Sequence, residues 1–597
     1  MHARILSVTA LLLLTLASIP GAGQEPQPSR PLSRDWKRLK TPSLTVIGNA
    51  SDHDLRRTAV EIERFRVAIR ALAPTTPMSS PVPMLAVVFR DDSALTPFKP
   101  RNRGKPVDNV AAYFSALPDI NYIVLAPHDD REFTYRVIFH EYTHFLVNRS
   151  SPRLPMWLNE GLAEFYSTFN GSEQDSRMIV GRPIPAHRML LREVGGLIPL
   201  KKFLDSTALP ELLRDPRSTQ RFYAQSWALT HYLLLGDARI HQPKLRAFLA
   251  AMQTGESSDR AFAKAFGDNV DALHAGFQSY LNRATMPAVQ VPQVTLKLDG
   301  SIEQIAELDA QQIQGDLLVR QGAFEEADKY LAKALAIDPH HVPSRLSRAR
   351  RLVADEQVAD ALDVLSAPDL ESAPDFPTAF LRAETLRAAK RYDASVPVYQ
   401  RAIAARRDSA PAYYGLSISQ LALGQSDAVA NFSRCLAIRP DPSWFFARLH
   451  AAQRLGQDTL AVADATSYVS LAGWQSTGSP YAMFIAALAS MRLKQPDQAR
   501  AILDEIAAHV EGDSWQATIV AYLSGRLTPE VLLKKASKEL LTEAHTYIGI
   551  KSNIDGDRQT ALLHLQWVKD KGLHYYTEYG LALGELERIE GESKQAK

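Results

Sequence analysis

The first 285 residues alternate between two hydrophobic patterns, one typical of strands and the other of helices. Short apolar runs, or apolar–polar alternation, predict strands, whereas apolar residues spaced three and four apart predict helices. Strand patterns lie at residues 43–47, 84–89, 110–114 and 122–126, and helical spacing occupies residues 54–72 and dominates from residue 131 onward. This order predicts an α+β domain, with a small sheet followed by a helical lobe.

The second half of the chain has helical spacing almost throughout, and it repeats itself. Small residues recur at Ala327, Ala361, Ser395 and Ala428, at intervals of 34, 34 and 33 residues. Small side chains at a fixed period let paired helices approach closely. The pattern resembles the tetratricopeptide repeat, which implies an α-solenoid that binds a partner protein. The only cysteine, Cys435, falls at a small packing position, so we expect a buried thiol rather than a reactive one.

The charge balance excludes some classes of partner. The chain has 68 basic and 66 acidic residues and a formal net charge of +2. This balance gives no electrostatic basis for binding nucleic acid or anionic lipid. Beyond the N-terminus, no segment has the length and apolarity of a stable membrane span.

The N-terminus has the parts of a secretory signal peptide. A weakly basic start precedes an apolar run at residues 5–16, and small residues follow as far as Gly23. The run is too short to span a bilayer, and proline-rich sequence follows it, so a cleaved signal is favoured over a core helix. A single cysteine permits no intramolecular disulfide. We therefore expect an exported protein, periplasmic or secreted, with a signal peptide at residues 1–23 and a linker at 24–40.

The candidate chemistry begins with an H-E-x-x-H motif in a helical pattern, His140-Glu141-Tyr142-Thr143-His144. Residues four apart share one face of a helix, so both imidazoles can bind one metal ion. Glu141 lies beside that face, where its carboxylate can reach a metal-bound water instead of the metal.

A second segment supplies the third ligand. Fifteen residues separate His144 from Glu160, and prolines between them allow the chain to turn and return as an antiparallel helix. Two histidines and one glutamate leave the fourth tetrahedral position open, as catalytic zinc requires. Glu164 follows one turn after Glu160 and can accept the second ring N–H of a ligand histidine. The sequence therefore predicts a Zn²⁺ site with His140, His144 and Glu160 as ligands.

These two segments together resemble the active-site region of gluzincin metallopeptidases. Residues 157–163, Trp-Leu-Asn-Glu-Gly-Leu-Ala, are similar to the third-ligand segment of the aminopeptidase N type. The gap before Glu160 is a few residues shorter than in that group, and its Gly-x-Met-Glu-Asn motif is absent. The closer likeness is to bacterial peptidase MA-like domains, often fused to tetratricopeptide repeats. The resemblance covers roughly residues 40–285 and implies zinc-ligand roles for His140, His144 and Glu160 and a general-base role for Glu141.

A peptidase of this kind also needs a group that stabilises the oxyanion. Related enzymes place a tyrosine on a later helix, and Tyr223 is the candidate here, with a core tyrosine as the competing interpretation. His231 is a further candidate, and we interpret His128 as a loop residue. In gluzincins the strand before the zinc helix forms an edge on which extended substrate adds. We predict that residues 121–125 form this edge, with a buried central strand as the alternative.

Two functions follow from this organisation. The first is an exported zinc peptidase at residues 41–285, joined by a linker at 286–305 to repeats at 306–597 that bind substrate or a protein partner. We expect an endopeptidase, although an aminopeptidase is not excluded. A quality-control protease with fused repeats fits less well, because the membrane-associated helices expected there are missing. The alternative function is a catalytically inactive zinc-binding or tetratricopeptide-repeat adaptor.

Overall fold

The computed structural model describes most of the chain from residue 32 onward. The described residues are 32–74, 76–108, 110–127, 131–150, 154–171, 177–193, 195–205, 208–253, 256, 258–292, 296 and 300–595. The predicted signal peptide and His128 lie outside them. The strands are β1 (Leu32–Lys40), β2 (Thr45–Gly48), β3 (Met84–Val88), β4 (Arg101–Asn102), β5 (Lys105–Pro106), β6 (Ala112–Ala116), β7 (Asn121–Leu125), β8 (Arg177–Val180), β9 (Val289–Pro292) and β10 (Glu303–Ala306).

Helices make up most of the rest. Those before the repeats are α1 (Asp52–Leu72), α2 (Asp92–Leu95), α3 (Arg131–Ser150), α4 (Met156–Ser167), α5 (Pro185–Arg192), α6 (Leu200–Leu204), α7 (Leu209–Leu212), α8 (Pro216–Leu235), α9 (Gln242–Gln253), α10 (Ser258–Phe266) and α11 (Val270–Leu281). The next are α12 (Glu307–Arg320), α13 (Phe324–Ile337), α14 (Val342–Ala354), α15 (Val358–Leu365), α16 (Pro368–Glu371), α17 (Phe376–Ala388), α18 (Tyr392–Ala405), α19 (Ala410–Ala422) and α20 (Asp427–Ile438). The last are α21 (Pro442–Arg454), α22 (Asp458–Ala472), α23 (Ser479–Arg492), α24 (Pro496–His509), α25 (Trp515–Leu523), α26 (Pro529–Lys535), α27 (Leu541–Ile554), α28 (Arg558–Lys571) and α29 (Thr577–Gln595). Among the helices described, none combines the length and apolarity needed to cross a membrane.

The predicted small sheet has six strands in the order β10-β1-β2-β3-β7-β6. β2, β3 and β7 run parallel, with Val87 beside Val124. β6 pairs antiparallel with β7, and β1 pairs antiparallel with both β2 and β10. Of the two interpretations of Asn121–Leu125, the edge strand is wrong and the buried central strand is confirmed, because β7 lies between β3 and β6 and all five of its residues are buried.

Two different sets of helices cover the two faces of this sheet, because alternate side chains of a strand point to opposite faces. Val46, Val88 and Ile123 pack on α1 and α3, whereas Ile47, Val87 and Val124 pack on α12 and α13. The helical lobe has a separate core around Trp157 of α4, Trp227 of α8 and Phe277 of α11. The helix that carries the H-E-x-x-H motif therefore rests on one face of the sheet, and the first repeat helices rest on the other.

Both stretches predicted as linkers contain strands of the fold. Residues 32–40 form β1, and residues 286–305 contain β9 and most of β10. β9 pairs with β8 of the helical lobe, and β10 pairs with β1. One strand was among the expectations for residues 286–305. The others were missed because they bury few side chains: Ile305 is the only buried residue of β10.

A buried ionic cluster lies where the first repeats meet the sheet. Asp316 in α12 accepts hydrogen bonds from Tyr122 Oη at 2.8 Å and Arg320 Nε at 2.6 Å. Arg350 of α14 pairs with Asp316 and also with Asp119, which lies in the turn between β6 and β7. Arg320 approaches the same Asp119 carboxylate at 3.4 Å. The repeats therefore hold the turn of the β6–β7 hairpin as well as one face of the sheet.

The repeats continue as antiparallel helix pairs. The four small residues that set the period are completely buried, as close helix packing requires: Ala327, Ala361, Ser395 and Ala428. The thiol of Cys435 is also fully buried, as expected. By its internal contacts the chain forms two compact units, residues 1–415 and 416–597. The coarse fold prediction, a small N-terminal sheet with helices followed by a helical repeat array, is confirmed.

Candidate metal centre

Helix α3 carries both histidines of the motif on the side that faces away from the sheet. Ile138, Phe139 and Tyr142 are buried in the sheet-facing core and fix the rotation of the helix. His140 and His144 then lie one turn apart on another face, with side chains 17% and 18% exposed. They are thus held by a packed helix and remain accessible to a ligand.

Helix α4 brings the third side chain to the same place. It begins after Pro155 and packs against both α3 and α8. Gly161 allows α4 to lie close to α8, because a Cβ built on this glycine would lie only 2.0 Å from Thr230 Oγ1 of α8. Glu160, the residue before this glycine, points its carboxylate at the two imidazoles.

The three side chains form a triangle of ligand atoms. His140 Nε2 lies 3.1 Å from His144 Nε2, and Glu160 Oε2 lies 3.5 Å and 3.3 Å from these two nitrogens. Ligands at 2.0–2.1 Å from a tetrahedral zinc are separated by about 3.3 Å, so the triangle has the size of one face of such a site. In the described parts of the chain, no other group of three His, Cys or carboxylate side chains comes this close together.

The electrostatics of Glu160 also fit a cation. Its Oε2 atom is buried and makes no hydrogen bond of good geometry to any described residue. Burial alone would raise the pKa of Glu160, but the adjacent imidazoles of His140 and His144 lower it to about 2. Burial alone would lower the pKa of His144. The neighbouring Glu160 carboxylate outweighs the effect of burial, so the pKa of His144 is raised. A buried anion beside two ring nitrogens is a suitable donor set for Zn²⁺.

The second nitrogen of each imidazole faces an oxygen atom. His144 Nδ1 lies 3.0 Å from Asn159 Oδ1, and His140 Nδ1 lies 3.5 Å from Glu164 Oε1. Asn159 is itself fixed by donating to Asn148 Oδ1 at 3.2 Å. Such contacts orient ligand histidines and favour the tautomer with Nε2 free for a metal. Glu164 was expected in this position, whereas Asn159 was missed, although it precedes Glu160 in the quoted motif.

Glu164 contacts an arginine and a further histidine. Arg136 donates to its Oε2 at 3.0 Å, and His187 Nε2 lies 3.3 Å from the same oxygen. Burial opposes ionisation, but His187, His140 and Arg136 lower the pKa of Glu164 to about 2. Glu164 is therefore a fixed anion at neutral pH. His187 was missed because it lies on α5, and no sequence spacing links that helix to the motif.

Tyr223 and Glu141 lie close enough to the ligand triangle to interact electrostatically with its residues. Burial, followed by the negative charges of Glu160, Glu141 and Glu164, raises the pKa of Tyr223 to about 12. Its hydroxyl therefore stays protonated and able to donate a hydrogen bond at any ordinary pH. Glu141 is half-buried, and its charge contributes to raising the pKa of His144.

His231 belongs to the core of the lobe and not to this centre. Its Nε2 lies 2.8 Å from the Gly181 carbonyl oxygen, and its Nδ1 lies 2.8 Å from Tyr280 Oη. Burial lowers its pKa to about 4. With both nitrogens engaged and the ring fully buried, His231 is not available to a substrate, which leaves Tyr223 as the candidate on α8.

Comparisons with known families match two parts of the chain. Residues 136–242 match the family described as "Protein of unknown function (DUF1570)", a segment that contains every candidate ligand. Residues 308–341 and 481–509 match tetratricopeptide repeat families. The chain therefore contains tetratricopeptide repeats, as predicted. A search of curated proteins finds no match.

Several solved structures resemble the chain, at low identity. They include a structure from a functional characterisation of Pseudomonas aeruginosa pilF (15% identity, 35% of this chain and 94% of that chain, TM-score 0.29). Others are MamA MSR-1 C2 (17%, 34% and 98%, TM-score 0.24) and the APC/C hetero-tetramer Cut9–Hcn1 (13%, 64% and 86%, TM-score 0.21). At these TM-scores the likenesses carry no argument about this chain.

Proposed function

We propose that the chain is an exported zinc-dependent peptidase whose tetratricopeptide repeats bind substrate or a partner protein. The observation that carries the proposal is the triangle of His140 Nε2, His144 Nε2 and Glu160 Oε2, with sides of 3.1–3.5 Å. Its size suits tetrahedral zinc, and three protein ligands leave one position for water or substrate, as in catalytic zinc sites.

The residues around the triangle suit hydrolysis of a peptide bond. A zinc ion held there would supply Lewis acidity to activate water and polarise a carbonyl. Glu141 would take the proton from the attacking water and return it to the leaving amine. The Tyr223 hydroxyl, which stays protonated, would donate a hydrogen bond to the developing oxyanion. Glu164 and Asn159 would hold the histidine rings in position.

Strand β6 is the best candidate for positioning an extended substrate. It is the last strand at its end of the sheet, and α3 packs beside it. A peptide that paired with β6 would continue the sheet through backbone hydrogen bonds. This role replaces the one predicted for the strand Asn121–Leu125, whose two edges are both occupied.

The test combines metal content with proteolysis. We expect one zinc per purified chain, removed by a chelator, and loss of zinc in Glu160→Gln. Glu141→Gln should keep the zinc and lose cleavage of a broad peptide library. Cleavage that persists in Glu141→Gln would rule out the assigned base, and a chain without zinc would rule out the metal centre. N-terminal sequencing of protein from the exported fraction, with a start near residue 24 expected, tests export.

A second function, an adaptor without catalysis, is supported by the two tetratricopeptide repeat matches. Arrays of this kind hold peptides and partner proteins. Zinc binding without hydrolysis of any library peptide would favour the adaptor over the peptidase.

A further inference from the structure

A cavity in the repeats of the first unit, far in sequence from the candidate metal centre, has the properties of a binding site. Its volume is about 460 Å³, and it is lined by residues of α15 to α18. Cavities that bind small ligands occupy roughly 300–1,000 Å³. Three arginines line it, Arg382, Arg391 and Arg401, with one carboxylate, Glu371.

Within the described part of the chain, two of the three guanidinium groups have no counter-ion. Arg382 donates to the Glu371 carbonyl oxygen at 3.1 Å and forms an ion pair with the Glu371 carboxylate. Among the described residues, neither Arg391 nor Arg401 has an ion pair. The Nε atom of Arg401 is buried and has no hydrogen-bond partner within the described chain. A buried donor without an acceptor is costly, so an anionic ligand would satisfy it.

The shape of the cavity wall suits an extended chain more than a single compact ion. Arg391, the residue just before α18, and Arg401 within it lie at the two ends of one side of the helix, ten residues or about 15 Å apart along its axis. Pro397 lies on this side inside the helix, where it cannot donate to the Asp393 carbonyl oxygen. An extended peptide rises about 3.3 Å per residue, so a peptide of about five residues spans roughly this distance between its end residues. A peptide also has backbone N–H groups that can donate to a free carbonyl oxygen.

We propose that this cavity binds an extended acidic peptide segment of about five residues, with carboxylates near its two ends that pair with Arg391 and Arg401. The charge of the cavity selects acidic over neutral peptides, and its length sets the spacing of the two carboxylates. This site is separate from the candidate metal centre, so it does not depend on whether the chain is a peptidase.

The experiment measures binding to the full chain with hydrolysis blocked by Glu141→Gln. The probe is fluorescein-labelled Glu-Ala-Ala-Ala-Glu with an amidated C-terminus, and its matched control is the Gln-Ala-Ala-Ala-Gln peptide. We expect fluorescence anisotropy to show the acidic probe binding at least tenfold more tightly than the neutral one. Arg391→Gln and Arg401→Gln should each weaken it by roughly tenfold, the value of one charge-assisted hydrogen bond. Arg407→Gln, an exposed arginine just beyond α18, should leave the affinity unchanged.

Several results would overturn the proposal. Equal binding of the two peptides would exclude recognition by charge, and the absence of binding would exclude the site. Unchanged affinity in both arginine variants would place the peptide elsewhere on the protein, the candidate metal centre included. Binding of inorganic phosphate in place of the acidic peptide would make the cavity a phosphate site. Because Arg391 is exposed, its substitution leaves the helix packing intact. If Arg401→Gln fails to fold, the affinity of Arg391→Gln alone tests whether the peptide binds in this cavity.

Discussion

Gly161 of α4 approaches Ser226 of α8 so closely that a Cβ built on the glycine would lie 2.3 Å from the Ser226 carbonyl oxygen. Because the clash is with backbone atoms, a larger residue at position 161 would push α4 and α8 apart. Glu160 lies on α4, so its carboxylate would be displaced. We therefore expect Gly161→Ala to lower the free energy of unfolding by about 1–3 kcal/mol and to weaken zinc binding. Thermal unfolding and zinc titration measure the two effects.

The control for this substitution is Gly580→Ala in α29, where nothing lies within 4 Å of an added Cβ. Alanine is favoured over glycine inside a helix by up to about 1 kcal/mol, so this change should be neutral or stabilising. Native zinc affinity in Gly161→Ala would show that the close approach of α4 to α8 does not position Glu160.

The hydroxyl of Tyr223 should matter to the reaction and not to the fold. We expect Tyr223→Phe to reduce kcat by roughly 10²–10³-fold with little change in KM, since an oxyanion donor acts mainly on the transition state. Tyr232→Phe on the same helix is the matched control, because its hydroxyl donates to Asp237 at 3.0 Å within the lobe. Equal kcat in the wild type and Tyr223→Phe would assign Tyr223 to the core.

The buried carboxylate of Asp316 should make the first unit sensitive to strong acid. Burial opposes its ionisation, but Arg320 and Arg350 lower its pKa from 3.8 to about 2. A lowered pKa in the folded state means that the stabilisation is complete above pH 4 and is lost as the pH falls towards 2. We expect about 2 kcal/mol to be lost in that window. Asp316→Asn has no carboxylate to protonate at this position, so its free energy of unfolding should fall by about 2 kcal/mol less than that of the wild type over the same pH window. Urea unfolding at each pH measures this difference.

The second unit contains a buried carboxyl with the opposite behaviour. Glu543 is 3% exposed, and burial together with the nearby Glu578 raises its pKa from 4.5 to about 7. A raised pKa in the folded state means that the stabilisation is complete below pH 4.5 and is lost as the pH rises through 7.

Glu543→Gln should remove this dependence. The amide can still accept the hydrogen bond that Trp515 Nε1 donates at 2.7 Å. We expect the variant to match the wild type near pH 4.5 and to be more stable by up to about 3 kcal/mol at pH 8. Glu505→Gln, at an exposed position in α24, is the control. Equal stability of the wild type and Glu543→Gln at pH 8 would contradict the prediction.

The sequence was most informative where one helix turn determines geometry. The spacing of His140 and His144 places both on one helix face, and the return helix brings Glu160 and then Glu164 to the same side. The edge-strand prediction failed at β7, although its signal was present. Asn121–Leu125 is an almost unbroken apolar run, which is typical of a strand buried on both faces.

Other features could not be predicted because they depend on distant contacts. His187 reaches Glu164 only through the fold of α5 against α8. The pairing of β10 with β1 joins residues about 270 apart, and a short strand with one buried side chain has no distinct hydrophobic period. Long-range pairing is set by tertiary packing, which local spacing does not encode.

Strand β10 has a consequence for how such a chain could exchange modules during evolution. It follows the entire helical lobe, yet it completes the outer edge of the N-terminal sheet, and the two helices after it cover one face of that sheet. A recombination event at the proline-containing stretch after α11 would remove a strand and expose apolar side chains. To keep the sheet intact, an exchange of the repeat array would have to leave residues 303–337 with the N-terminal half. The recombination point that preserves the fold therefore lies within the repeats, after α13.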